Sequence, residues 1–222
     1  MFLKTWLGFL KKQYNQLRKY PTRILALGFT AVIIVGGFLL WLPFATHRPI
    51  TLLEAMFTST SAVCVTGLVV VDTGTRFTLF GQIVLMLLIQ TGGLGFMSMA
   101  TLVMMILGKR ITLRDRLVLQ EAMGDTGLTG LVRLTRWILG MTLSIEAVGA
   151  ALLSTSMIPR FGLAKGVYYS VFHSVSAFCN AGFDLMGNYT SLTSFRNDPW
   201  TLTVVMLLIV TGGLGYAVIH EW

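Results

Sequence analysis

Apolar residues along this chain fall into four long runs separated by segments that carry most of the charge, and each run is at least about as long as a helix that crosses a bilayer. Residues 24–42 are apolar over 19 positions. Residues 77–108 carry no charge between Arg76 and Lys109, residues 199–220 none between Asp198 and Glu221, and residues 137–159 only Glu146. A bilayer core needs roughly 20 residues of helix. The run 77–108 exceeds a straight crossing, which predicts a tilt, a bend near Gly92 and Gly93, or projection into the cytoplasm. Two further stretches, 55–71 and 166–183, are short and more polar, because Thr58, Ser59, Thr60, Ser61, Thr66, His173, Ser174 and Ser176 interrupt them. Hydropathy alone leaves them open.

Charge decides their topology. Basic residues gather in the first 23 positions (Lys4, Lys11, Lys12, Arg18, Lys19, Arg23) and again between the second and third runs (Lys109, Arg110, Arg114, Arg116, Arg133, Arg136). Such clusters mark cytoplasmic segments. If 55–71 crossed the membrane, the second cluster would lie outside; a re-entrant loop keeps both inside. Non-helical backbone at membrane depth is tolerated where protein buries it or where it lines a watery cavity. The predicted architecture is an all-α integral membrane protein built as span, re-entrant helix and loop, span, twice over. Its parts are a basic amphipathic cytoplasmic segment 1–23, a first unit 24–108, a cytoplasmic linker 109–136 and a second unit 137–222. The N-terminus is cytoplasmic and the chain multi-pass.

The two units resemble each other in sequence. Ser61-Ala62-Val63-Cys64-Val65-Thr66-Gly67-Leu68 returns as Ser176-Ala177-Phe178-Cys179-Asn180-Ala181-Gly182-Phe183, so Gly67 and Gly182 lie 115 positions apart. Met86-Leu87-Leu88-Ile89 recurs as Met206-Leu207-Leu208-Ile209, and Thr91-Gly92-Gly93-Leu94-Gly95 as Thr211-Gly212-Gly213-Leu214-Gly215, both 120 apart. Repeats of this length are supersecondary units that pack around a shared axis or interface.

Composition agrees with a membrane protein and excludes an ordinary soluble domain: 55% of the 222 residues are hydrophobic and 12% charged, with mean hydropathy +0.75. The net charge of +8 is absorbed mostly by the cytoplasmic clusters, which removes a nucleic-acid reading. Lysines interleaved with Phe2, Leu3, Trp6, Leu7, Leu10, Tyr14 and Leu17 suit a helix on the inner membrane surface. Two cysteines, at equivalent places in the repeat, exclude a disulfide framework and leave a Cys64–Cys179 bridge as a minor alternative.

The candidate chemistry is cation coordination by backbone. Carbonyl oxygens replace the water shell of a dehydrated cation without adding fixed charge, and glycine is expected where such a strand is tightest, at Gly67 and Gly182. Short helices ahead of each loop aim the negative ends of their dipoles at the cavity. Gly92, Gly93, Gly95, Gly212, Gly213 and Gly215 read as packing or bending positions, since small residues let transmembrane backbones approach closely. Glu146, costly inside a bilayer, must face a partner or water; a hydrogen bond between helices is the favoured reading over an ion site. His173 has no second ligand at metal spacing. Thr112-Leu113-Arg114-Asp115 reads as a helix start and Gly124-Asp125-Thr126-Gly127 as its break. No nucleophile with a base and no phosphate-binding loop is present, so an enzyme is not expected and ion movement follows the electrochemical gradient.

At Val65-Thr66-Gly67-Leu68, Cys179-Asn180-Ala181-Gly182-Phe183, the two Thr-Gly-Gly-Leu-Gly segments and Leu42-Pro43, the chain resembles the Trk/Ktr/HKT superfamily of potassium transporters, most of all the membrane subunit of the bacterial Ktr type. The resemblance implies a fold of outer helix, pore helix with filter, and inner helix, four times around one pore. It implies potassium uptake, with sodium as a second cation, through filter carbonyls of Cys64, Val65, Thr66 and Gly67 with Cys179, Asn180, Ala181 and Gly182. It further implies a homodimer in the cell membrane, a cytosolic nucleotide-binding ring as regulator, and no cofactor beyond potassium as substrate. Against that pattern the chain carries two of four units, which leaves a non-conducting fragment or scaffold remnant as the alternative. A carrier with alternating access is less well matched, because an even number of crossings makes the repeats parallel.

Overall fold

Seven helices carry the described residues, 21–95 and 131–214, of the computed structural model. They are α1 (Pro21–Trp41), α2 (Leu52–Val63), α3 (Thr73–Arg76), α4 (Leu79–Leu94), α5 (Leu131–Phe161), α6 (Leu163–Phe178) and α7 (Pro199–Gly213). The chain gathers into two compact units, Met1–Ala31 with Gly95–Arg136 and Val32–Leu94 with Trp137–Trp222. Both repeated loops lie in the second. The expected N-terminal surface helix and most of the basic linker, with its Thr112 helix start and Gly124 break, lie outside the described residues.

Each helix starts and stops where its local chemistry dictates. α1 ends because Pro43 forces Leu42 out of the helical region, to φ −59°, ψ 142°. α2 begins with a capping box: the Glu54 N–H donates to Thr51 Oγ1 at 3.2 Å while the Thr51 N–H donates to Glu54 Oε2 at 2.7 Å. Asp72 caps α3 by accepting from the Thr75 N–H at 2.8 Å, and Asp198 caps α7 by accepting from the Thr201 N–H at 3.2 Å. Pro199 follows in the first turn of α7, where no N–H is missed. Gly162, at φ +81°, separates α5 from α6.

The stretches expected to be re-entrant each hold a helix followed by non-helical chain. α2 starts at Leu52 and α6 at Leu163, three residues earlier than the polar patterning suggests, because the capping box and the Gly162 turn set the first turns. α4 is continuous through Gly92 and Gly93 and ends at Leu94, with Gly95 next at φ +78°. The helix therefore breaks at Gly95 and not at the preceding glycine pair. α3 and the antiparallel bridge between Thr46 and Phe77 were not anticipated.

Packing repeats with the sequence. α4 packs on α2, α7 on α6, and α4 also on α6. In the first copy the Ser59 hydroxyl donates to the Ile33 carbonyl at 2.8 Å, and in the second the Ser174 hydroxyl donates to the Glu146 carbonyl at 2.7 Å. Gly36 sits against Ser59 and Leu88, and Gly149 against Ser174 and Leu208. α1 and α5 are thus related by an offset of 113 positions, although their sequences do not show it.

Among the described residues one helical stretch, Thr135–Phe161 with 27 residues, is both long and apolar enough to cross a membrane, and Leu25–Trp41, Leu79–Leu94 and Pro199–Gly213 are shorter apolar helices. The charge-free runs 77–108 and 199–220 continue outside the described residues. α1 leaves Ile34, Val35, Phe38, Leu39 and Trp41 exposed, and α7 leaves Met206, Leu207, Ile209 and Val210 exposed. An apolar surface of that kind fits lipid rather than water.

Candidate functional site

The site is made where α2 and α6 run out. At the end of α2 the N–H of Cys64 turns back to the Thr60 carbonyl (2.8 Å), that of Val65 to Ala62 (3.2 Å) and that of Thr66 to Ser61 (2.9 Å). At the end of α6 the N–H of Cys179 turns back to Val175 (2.9 Å), that of Asn180 to Ala177 (3.0 Å) and that of Ala181 to Ser176 (2.8 Å). Successive donors are therefore spent on the helix end. Among the described residues the carbonyls of Cys64, Val65, Thr66, Gly67, Cys179, Asn180, Ala181 and Gly182 accept no hydrogen bond in return. Carbonyls left without a donor are open to a polar partner.

The backbone path is the same in both loops. Left-handed φ occurs at Val65 (55°) and Gly67 (69°), and at Asn180 (58°) and Gly182 (70°). Glycine accepts that region freely, asparagine tolerates it, and a β-branched valine is strained there. Asn180 has additional support, since its side-chain amide donates to the Ile209 carbonyl at 3.4 Å. Hydroxyls brace each loop from behind: Ser61 Oγ lies 2.8 Å from Thr66 Oγ1, and Ser176 Oγ donates to the Phe183 carbonyl at 2.6 Å.

The two loops lie side by side. A Cβ on Gly67 would come within 2.8 Å of the Ala181 carbonyl oxygen and 3.3 Å of Gly182 Cα, and one on Gly182 within 3.4 Å of Gly67 Cα. No side chain fits between them. Behind the loops, a Cβ on Gly92 would collide with the Val63 carbonyl and one on Gly212 with the Phe178 carbonyl, while Gly93 accommodates the Cys179 sulfur. Gly213 has only the Asn180 amide nearby, at 3.9 Å, and Gly95 has nothing within 4 Å. Gly215 lies outside the described residues. Both cysteines are free thiols, Cys64 exposed and Cys179 buried.

Glu146 is buried in the middle of α5. It accepts from the Gln90 side-chain amide at 3.2 Å and faces the Cys179 thiol at 3.9 Å. His173 is also buried. Its Nδ1 lies 2.7 Å from the Tyr169 carbonyl and its Nε2 accepts from the Leu185 N–H at 3.4 Å, which fixes the tautomer with the proton on Nδ1. Both nitrogens are occupied by structural bonds. Among the described residues no group of three metal-ligating side chains assembles.

Beyond the first loop in the chain, Asp72 joins the two copies. Its carboxylate accepts from the Thr75 N–H and hydroxyl and, across 117 positions, from the Tyr189 N–H at 2.7 Å. Partial burial pushes this carboxyl up, but the hydrogen bonds from Tyr189, Thr75 and Gly74 outweigh it and hold the group below the usual carboxylate range. Tyr189 meets Asp72 at the end of a run of left-handed residues, Gly187, Asn188 and Tyr189. Sequence reading missed Gln90 and the Asp72–Tyr189 pair. A glutamine deep in an apolar run, one of two in α4 with Gln82, was the one signal that pointed to the first; nothing local pointed to the second.

Residues 2–222 match the TrkH family, described as a cation transport protein. Among curated relatives, the chain is 45% identical to the Ktr system potassium uptake protein B of Bacillus subtilis, over 95% of this chain and 47% of that protein. It is 42% identical to the potassium/sodium uptake protein NtpJ of Enterococcus hirae, over 94% of this chain and 46% of that protein. It is 42% identical to the Ktr system potassium uptake protein B of Vibrio alginolyticus, over 90% and 43% respectively. The chain thus spans less than half the length of these relatives. With a family match over nearly its whole length and two copies of one loop set against each other, this chain belongs to the TrkH family of cation transport proteins.

Proposed function

We propose that the chain takes part in potassium uptake, with sodium as a second cation, through a selectivity filter to which it contributes two loops. In this reading α1 and α5 are outer helices, α2 and α6 pore helices, and α4 and α7 inner helices. Residues 24–108 and 137–222 are the two units, joined by a cytoplasmic linker. Carbonyls of Cys64, Val65, Thr66 and Gly67 and of Cys179, Asn180, Ala181 and Gly182 supply oxygens to a dehydrating cation. The observation that carries this is the pair of adjacent loops with matching left-handed positions and eight carbonyls that accept no hydrogen bond among the described residues. Helix dipoles strengthen the site, because the C-terminal ends of α2 and α6 point their partial negative charge toward it.

Two loops provide half the oxygens that a four-loop filter provides, so the conducting ring takes further loops of the same kind. The names of the relatives support potassium as the cation, and the word system in two of those names supports further components; the partners that the family resemblance implies are a second copy of the membrane subunit and a cytosolic nucleotide-binding ring. The protein is multi-pass in the cell membrane with its N-terminus inside, needs no cofactor and moves ions down their gradient. Uptake of rubidium and sodium by a potassium-uptake-deficient bacterium expressing the transporter tests the reading. Gly67→Ser and Gly182→Ser should each change the ratio of the two cations, because a hydroxymethyl group enters the space between the loops. An unchanged ratio in both variants, at normal membrane abundance, would sink it.

A further inference from the structure

Glu146 has no counterpart in the first copy of the fold. The equivalent place on the first outer helix, fixed by the shared serine-to-carbonyl bond, is Ile33, and that copy packs without a carboxyl group. A carboxyl group in the middle of a membrane helix is costly, so something in the second copy must offset it. What it has there is the Gln90 amide from the inner helix of the first copy and the Cys179 thiol from the second loop. Cys179 Sγ lies 4.0 Å from Gln90 Oε1 as well, and Gly93, three residues beyond Gln90, leaves the room the sulfur occupies. Three elements from two copies thus meet behind the first residue of the second loop. Cys64, the counterpart in the first loop, is exposed.

We propose that Glu146 is a positioning residue for the second filter loop, holding Cys179 from behind together with Gln90 and so setting which cation that loop prefers. The inference rests on the filter reading of the loops. Glu146 touches no ion; it fixes the start of the strand whose carbonyls do. α5 is the lever, since its position is tied to α6 by the Ser174 bond to the Glu146 carbonyl and to α4 by the Gln90 bond to the Glu146 side chain.

The test replaces Glu146 with the residue the fold accepts at the equivalent place. Glu146→Ile in the full transporter should reach the membrane in normal amount and lower the rubidium-over-sodium uptake ratio about fivefold, the scale of one lost hydrogen bond. Glu146→Gln keeps an acceptor and should restore most of the ratio. A role in packing alone would lower abundance and leave the ratio unmoved, and a normal ratio in Glu146→Ile overturns the proposal. If that variant does not accumulate, Gln90→Leu removes the same bond from the other side and carries the same prediction. A second readout needs no transport: in a Cys64→Ser background, N-ethylmaleimide should alkylate Cys179 about fivefold faster in Glu146→Ile than in Glu146→Gln. Equal rates overturn the brace itself, whereas a rate difference without any selective uptake overturns the filter reading.

Discussion

At the scale of single residues the two loops differ where it is instructive. Position 65 is valine and its partner 180 asparagine, both left-handed; β-branching makes the first conformation strained and the second nearly free. Val65→Gly should therefore raise thermal stability by about 1 kcal/mol, read as a higher unfolding midpoint in detergent, while the looser loop loses cation discrimination. The glycines behind the loops behave oppositely. A methyl at Gly92 or Gly212 collides with a backbone carbonyl that cannot rotate away, so Gly92→Ala and Gly212→Ala should each destabilise by about 1 to 3 kcal/mol. Gly213→Ala, with only an amide at 3.9 Å, should be near neutral. Equal effects at Gly212 and Gly213 would contradict the packing. The glycines themselves are plain in the sequence, because Thr-Gly-Gly-Leu-Gly occurs twice. Which of them is crowded is not, since the crowding comes from Val63 and Phe178, 29 and 34 positions away.

At the scale of elements, start signals are local, although the one at Thr51 went unread, and partners are distant. The capping box at Thr51 and Glu54 lies within four residues. Thr51→Ala should lower the unfolding midpoint, the loss of an N-cap being about 1 kcal/mol. Asp72 belongs to the opposite class. Its bond to the Tyr189 N–H joins the chain after the first loop to the chain after the second, and no periodicity predicts it. Because its carboxyl is held below the ordinary value, folding gains from the ionised form. That contribution is present above the unfolded-state value near 3.8 and is lost as pH falls through the lower folded value. Asp72→Asn should therefore lower stability at neutral pH and flatten the decline expected below about pH 4, checked by thermal unfolding at a series of acidic pH values. A variant with the same acid limb as the parent protein would show that Asp72 is not the group involved. The same distance in sequence hides Gln90, Glu146 and Cys179 from one another. It also hides the outer-helix equivalence, which rests on Ile33 and Glu146, two residues with no chemical likeness.

At the scale of the whole molecule the question is which way the loops face. Apolar runs and basic clusters predict that both loops enter from the side opposite the clusters, and the described chain is compatible with that because α2 and α6, 12 and 16 residues long, are each followed by non-helical backbone rather than continuing as a second and a fifth crossing. Arg48 and Arg196 are exposed and lie next to the ends of the helices that precede and follow the loops, one in each copy. Both must therefore face outside if the basic clusters face inside. Single cysteines in a Cys64→Ser, Cys179→Ser background at Arg48 and Arg196 should react with an impermeant maleimide in intact cells. Cysteines at Lys12 and Arg116 should react only after the membrane is opened. Labelling of Arg116→Cys from outside would require 55–71 to cross the membrane completely, and the two loops would then enter from opposite sides. Parallel repeats would become inverted ones, and the side-by-side contact of Gly67 with Gly182 would join two strands running in opposite senses, whose carbonyls do not form one filter.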